Sequence, residues 1–257
     1  MEVLLEVEGL TRYFGGVAAV KEISFQVQEA EIFALIGPNG AGKTTVFNLI
    51  TGLLAPDAGS VVFEGKSLAG LKPHQIAAAG ITRTFQNLQL FGNMTVLENV
   101  MAGAYLKGRT GFLKSLVTWP GSSREEKLIR REALALIDEV GLAGLAGLPA
   151  AALPFGRQRL LEIARALASG PRLVLLDEPA AGLNSAETKE LAGYLKRLRE
   201  EGKSMLLVEH DMETVMEVAD RIMVLNSGEA IALGTPAEIQ ANPEVIKAYL
   251  GEDERVA

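Results

Sequence analysis

The chain has 257 residues, no cysteine and two histidines, His74 and His210. That excludes disulfides, thiolate metal sites, iron–sulfur clusters, a cysteine nucleophile and a polyhistidine metal centre. The 25 Lys and Arg against 32 Asp and Glu leave a net charge of −7, which argues against a nucleic-acid partner, since such surfaces are usually basic.

With 48% hydrophobic and 22% charged residues, an ordinary globular core is expected rather than disorder. The start, Met1-Glu2-Val3-Leu4-Leu5-Glu6, has no basic segment and no long apolar run, so no secretory signal is expected. The longest uncharged stretch, 140–156, is short and broken by Gly and Pro, so it is not expected to span a bilayer. The expectation is a soluble intracellular protein that meets membranes only through a partner.

Short β-type runs at 3–7, 24–27 and 60–63, with turn residues between them, predict a small antiparallel sheet. The runs 31–36, 173–176, 204–208 and 221–225 carry their apolar residues in continuous rather than alternating order, as in strands covered on both faces of a sheet, and 81–85 is read as a further strand of this set. Helical patterns at 95–105 and 124–140 flank an irregular stretch, 108–123. A further helix over 188–199 puts Leu191, Leu195 and Leu198 on one face, with Asn184 or Ser185 as its cap. Residues 252–257 are polar and expected to fray. Strands alternating with helices predict an α/β fold, with a helical insertion in the middle.

Gly37-Pro38-Asn39-Gly40-Ala41-Gly42-Lys43-Thr44-Thr45 matches G-x-x-x-x-G-K-[ST]. It follows the apolar run 32–36 and opens a helical run at 46–50, the context this phosphate-binding motif requires. Glycines let backbone N–H groups curl around an anion, and the helix that follows adds its positive end. Lys43 is placed to reach the β- and γ-phosphates, and the Thr44 hydroxyl to ligate Mg²⁺.

Asp177 and Glu178 end the apolar run 173–176, where ligands of α/β sheets bind. Asp177 suits a water-mediated Mg²⁺ contact, and Glu178 suits a base for the attacking water. An isolated Asp-Glu would more often be a solvated turn; the phosphate loop upstream favours function. Gln86 follows the run 81–85 and can orient a water or reach a metal, although alone it reads more often as a surface residue. His210 follows 204–209; it reads as a turn residue or as a neutral donor to a γ-phosphate.

The order of these motifs, with Leu153-Pro154-Phe155-Gly156-Arg157-Gln158-Arg159-Leu160-Leu161-Glu162 between Gln86 and Asp177, resembles the ATP-binding subunit of ABC transporters along essentially the whole chain. The resemblance implies a P-loop ATPase core with a mainly parallel sheet, a small N-terminal antiparallel β-subdomain and an inserted helical subdomain. It divides one domain, 1–257, into a core of 1–92 and 156–257 and a helical subdomain of 93–155. Residues 153–157 match the signature loop and 180–184 the D-loop. Phe14 sits where the family stacks an aromatic on adenine, with Tyr13 as the alternative.

Arg83-Thr84-Phe85-Gln86-Asn87, Leu97-Glu98-Asn99, the run 177–184 and the tail 234–252 resemble the ATPases of branched-chain amino-acid importers, the longer of their two by the segment 108–123. Urea and other amide importers share much of this pattern. A non-transport, regulatory ATPase is the more distant alternative. The resemblance implies hydrolysis of ATP with Mg²⁺ held by Thr44, Asp177 and Gln86, and chemistry by Glu178, His210, Lys43 and Gln86. It implies a second ATPase protomer, itself or a paralogue, two integral-membrane permease subunits and, indirectly, a solute-binding protein. The place is the inner face of the cell membrane, peripherally.

Three positions depart from the family. Pro154 stands where the signature serine contacts the γ-phosphate on the opposite protomer, and Phe155 replaces its first glycine. Proline has neither hydroxyl nor N–H, so the contact falls to the Gly156 backbone, Arg157 and the helix N-terminus. Asn184 replaces the D-loop aspartate, keeping a hydrogen-bonding side chain without its charge.

Overall fold

The computed structural model describes residues 2–84, 88–104 and 122–253. The chain opens with a hairpin of β1 (Val3–Phe14) and β2 (Val17–Gln28). The wholly buried β3 (Ile32–Ile36) runs through the glycine loop into α1 (Lys43–Ile50). β4 (Ala58–Phe63) and β5 (Lys66–Ser67) return to the hairpin, and α2 (Pro73–Ala79) leads into β6 (Ile81–Arg83). Three helices follow: α3 (Val96–Ala104), α4 (Ser122–Glu139) and α5 (Phe155–Ala168). Then β7 (Leu173–Asp177), α6 (Ser185–Glu200), β8 (Ser204–Val208), α7 (Met212–Val218) and β9 (Arg221–Asn226) alternate. β10 (Glu229–Gly234), α8 (Pro236–Gln240) and α9 (Pro243–Asp253) come last.

The strands form two sheets. An antiparallel sheet has the order β2-β1-β4-β5; the other has the order β10-β9-β3-β8-β7-β6. In the second, β3, β6, β7, β8 and β9 are parallel and only β10 is antiparallel. Alternate residues of its strands enter different cores. Ile32, Ala34, Ile36, Leu176 and Leu207 join a core with α3 to α6; Phe33, Leu35, Leu175, Leu206 and Val208 join one with α1 and the antiparallel sheet. Burial on both faces explains the continuously apolar runs. It also makes them costly to truncate, at about 2–5 kcal/mol for Leu to Ala.

α3, α4 and α5 pack together on the first core, with Val100, Ile129, Ala133, Ile137 and Leu161 buried between them. Among the described residues no helix is long and apolar enough to cross a membrane.

The structure corrects several expectations. β1 and β2 each run 12 residues, well beyond the predicted 3–7 and 24–27. One face of each is exposed, so polar residues interrupt the apolar pattern. β10 was not expected; it is a half-exposed edge strand with only weak alternation. α9 continues through Asp253, where fraying was expected from 252. The irregular stretch 108–123 lies outside the described residues up to 121.

Candidate active site

The parallel register brings separate motifs to one edge of the sheet. β3, β8, β7 and β6 are neighbours in that order. Their carboxyl ends lead, respectively, into the glycine loop, Glu209-His210, Asp177-Glu178 and the segment carrying Gln86. Phe85, Gln86 and Asn87 themselves lie outside the described residues.

In the phosphate loop, Gly37, Gly40 and Gly42 have φ of 146°, 79° and 104°. A Cβ at Gly37 would collide with the Leu225 carbonyl, and one at Gly42 with the Ala19 carbonyl. The loop therefore demands glycine both for its turn and for its close approach to β9 and β2. Pro38 and Asn39 form its outer side; Ala41 is buried beneath it and accepts the Gly228 N–H at 3.1 Å. The N-terminus of α1 has Gly42 as cap and no side-chain acceptor on its N–H groups. The Lys43 ammonium folds back over the loop and donates to the carbonyls of Gly37 (2.6 Å) and Pro38 (2.9 Å). Thr44 is exposed on the first turn, with Thr45 half-buried beside it.

Asp177 is 2% exposed at the end of β7. Its Oδ2 accepts Arg83 Nη2 at 2.7 Å; Arg83 Nη1 donates to Asn48 Oδ1 at 2.6 Å, and the guanidinium lies 5.4 Å from the Phe47 ring. Arg83 thus ties β6, α1 and β7 together at the site, a role that local sequence did not reveal. Glu178 has a left-handed backbone, φ 48°, which costs a side-chain-bearing residue roughly 1–2 kcal/mol. Its N–H donates to the Val208 carbonyl at 2.8 Å. His210 is 60% exposed, and its Nδ1 lies 3.8 Å from Glu178 Oε2.

Residues 153–157 gather at the N-terminus of α5. Leu153 is buried, and Pro154 caps the helix with φ −55° and ψ 152° but no side-chain acceptor. The Pro154 carbonyl takes the Gln158 N–H at 3.0 Å, so proline starts the helix without distorting it. The half-exposed Phe155 packs over Gly182, with Arg159 5.8 Å from its ring. Gly156 leaves room for the Glu187 carboxylate, which a Cβ there would strike. Arg157 Nη1 donates to the Gly141 carbonyl at 2.9 Å. Tyr13 and Phe14, at the tip of the first hairpin, are 46% and 47% exposed, and Arg12 stacks 5.2 Å from the Phe14 ring. Exposure does not separate the two as adenine platforms.

The described donors fit Mg²⁺. The Thr44 hydroxyl and Asp177 carboxylate are hard oxygen ligands, which that ion prefers. Among the described residues no group of three or more His, Asp or Glu is placed to hold a metal ion by itself.

Comparison with known proteins agrees with this geometry. The ABC transporter family model matches residues 20–181, and a second model, the branched-chain amino acid ATP-binding cassette transporter, matches 231–255. The high-affinity branched-chain amino acid transport ATP-binding protein BraF of Pseudomonas aeruginosa is 46% identical over 97% of this chain and 98% of its own length. A solved ABC-transporter cassette in its ADP conformation superposes with a TM-score of 0.86 at 32% identity, covering 98% of this chain and all of its own. A dimeric cassette in a post-hydrolysis state, bound to ADP and Pi, matches with a TM-score of 0.75 at 27% identity, covering 91% and 99%. With a nucleotide loop and acidic strand ends meeting on one sheet edge, and with relatives alike along nearly their whole length, the chain belongs to the ATP-binding cassettes of the ABC transporter family.

Proposed function

We propose that this chain is the ATP-hydrolysing subunit of an ABC importer whose solute is a branched-chain amino acid. The observation that carries the ATPase reading is the shared sheet edge: the phosphate loop, Asp177, Glu178 and His210 all leave adjacent parallel strands there. The match at 231–255 to the branched-chain amino acid cassettes, and the printed role of BraF, favour that solute over urea or another amide.

In this reading two protomers, identical or paralogous, pack head to tail. ATP lies between residues 37–45 of one and residues 153–157 of the other, with Phe14 or Tyr13 against adenine. ATP's greater affinity for the closed pair drives closure. Lys43 leaves its resting carbonyls for the phosphates, Glu178 takes a proton from the attacking water, and His210 donates to the γ-phosphate. Thr44, Gln86 and, through water, Asp177 would hold Mg²⁺, which supplies charge neutralisation at the phosphate oxygens. Gln86 and the helical subdomain of 93–155 report nucleotide state to two permease subunits on the inner face of the membrane. A solute-binding protein acts upstream of them.

The test is the solution mass of Glu178→Gln with and without Mg-ATP, together with turnover. The expected result is an ATP-dependent dimer whose hydrolysis is about 10²–10⁴-fold slower than that of the native chain. Near-normal turnover would remove Glu178 as base. ATP binding without pairing, even with permeases present, would overturn the composite site. Stimulation of the reconstituted transporter by urea, and not by leucine or valine, would overturn the solute.

A further inference from the structure

Glu209 follows β8, is 0% exposed, and has no part in the chemistry above. Its two carboxylate oxygens serve different segments. Oε1 accepts the backbone N–H of Ala180 at 2.7 Å, two residues beyond Glu178. Oε2 accepts the backbone N–H of His210 at 3.1 Å. The preceding residue, Val208, accepts the Glu178 N–H through its carbonyl at 2.8 Å. The end of β8 therefore grips the Glu178 segment twice, once at Glu178 itself and once just after it.

Between those grips Glu178 keeps its left-handed φ of 48°. Such a conformation persists only where the surroundings impose it. His210 Nδ1 is 3.8 Å from Glu178 Oε2 and 3.9 Å from Glu209 Oε2, so all three side chains share one small volume. Packing alone does not call for an acid here, because a buried carboxylate is costly unless hydrogen-bonded. Burial pushes the Glu209 carboxyl up, opposed by backbone donors at Ala180, His210 and Asp211.

We propose that Glu209 is a positioning residue: by accepting N–H groups from both segments, its carboxylate sets the placement of Glu178 relative to His210. The inference rests on the reading of Glu178 as base, and deepens it. A misplacement of the order of 1 Å at a reacting group costs about 100-fold in rate.

The experiment compares Glu209→Gln and Glu209→Asp in the full chain, with turnover measured in the assembled transporter. The glutamine turns an NH₂ group toward backbone donors; the aspartate keeps the charge but shortens the reach. ATP affinity is expected to stay within about twofold, while kcat falls about 100-fold for Gln and less for Asp. Because the chain has only two histidines, the His210 imidazole NMR signals are expected to shift while those of His74 stay in place.

Unchanged kcat with unmoved His210 signals in folded variants overturns the proposal. So does a parallel loss of ATP affinity and kcat, which marks a general structural role. One measurement needs no variant: in the native chain the Ala180 amide is expected to exchange about 100-fold or more slower than an open amide. Exchange at the open rate overturns the proposal even if neither variant folds. If Glu178→Gln keeps near-normal turnover, the base assignment fails, while the Ala180 and His210 readouts still report on Glu209.

Discussion

Of the described helix starts, those of α1, α2 and α5 carry no side-chain acceptor, and only α1 and α5 of these three open directly from the glycine loop and from residues 153–157. Thr95, Asn184, Asp211, Thr235 and Asn242 cap α3, α6, α7, α8 and α9 through side-chain oxygens. α1 begins at Gly42 and α5 at Pro154, each without a side-chain acceptor. A helix start left open in this way keeps its N–H groups and positive dipole end for an anion. The two differ in what surrounds them. Around α1 the chain supplies a glycine cradle and a lysine resting on carbonyls. Around α5 it supplies a bare proline, a half-exposed ring and a glycine, and Arg157 is already engaged by Gly141. In the function proposed above, the first end holds the nucleotide alone and the second adds to a site completed by another protomer.

That contrast can be broken by substitution. The largest effect is expected for Lys43→Ala, which removes the charged donor from the self-sufficient end. ATP affinity of the isolated chain, read by calorimetry, should fall by about 10–100-fold, the worth of one or two charge-assisted hydrogen bonds. If affinity holds, α1 is not the primary nucleotide site.

Pro154→Ser addresses the other end and should be smaller. It adds a hydroxyl where the helix lacks a cap, so stability should rise by about 0.5–1 kcal/mol. Nucleotide affinity of the monomer should stay within about twofold, with any change confined to dimer closure and turnover. A shift in monomer affinity would mean that residues 153–157 touch the same nucleotide as residues 37–45.

The smallest effect concerns how the signature end is carried. Glu139, closing α4, accepts the Tyr194 hydroxyl of α6 at 3.3 Å. Burial first, then the nearby Glu201 charge, pushes the Glu139 carboxyl above its ordinary range. The folded chain therefore holds this proton to higher pH than the unfolded chain. Its contribution is complete below the unfolded carboxylate value and is lost as pH rises through the folded one. Glu139→Gln, which keeps a hydrogen-bonding group without the charge, should lose less stability than the native chain between about pH 4 and pH 7. Thermal unfolding at both pH values reads the difference; parallel curves would remove Glu139 from the pH dependence.

Much of the fold was legible because its strands are buried on both faces. Runs such as 173–176 and 204–208 contain nothing but apolar or small residues until an acid ends them, so their limits differ from the observed strands by a residue or less. The long hairpin and β10 were harder to see, because half of each strand faces water and local pattern is diluted. Local sequence offers both Asn184 and Ser185 as the cap of α6; the fold uses Asn184, whose side chain takes the N–H groups of Ala186 and Glu187. At the site, Lys43, Thr44, Asp177 and Glu178 announced themselves through spacing and strand ends. Arg83 and Glu209 did not. Arg83 reaches a carboxylate 94 residues away, and Glu209 an amide 29 residues away. No window along the chain contains either pair.

By itself, the sequence determined the phosphate loop, the alternation of strands and helices, and the identity of the two acids, because each depends on neighbours within a turn or a strand. Only the tertiary structure decided that β6, β7, β8 and β3 lie side by side. It likewise decided that Arg83 holds Asp177, and that Glu209 spans Ala180 and His210. Those outcomes follow from parallel pairing, which places strand ends together regardless of their distance in sequence, and from burial, which obliges each enclosed charge to find its partner there.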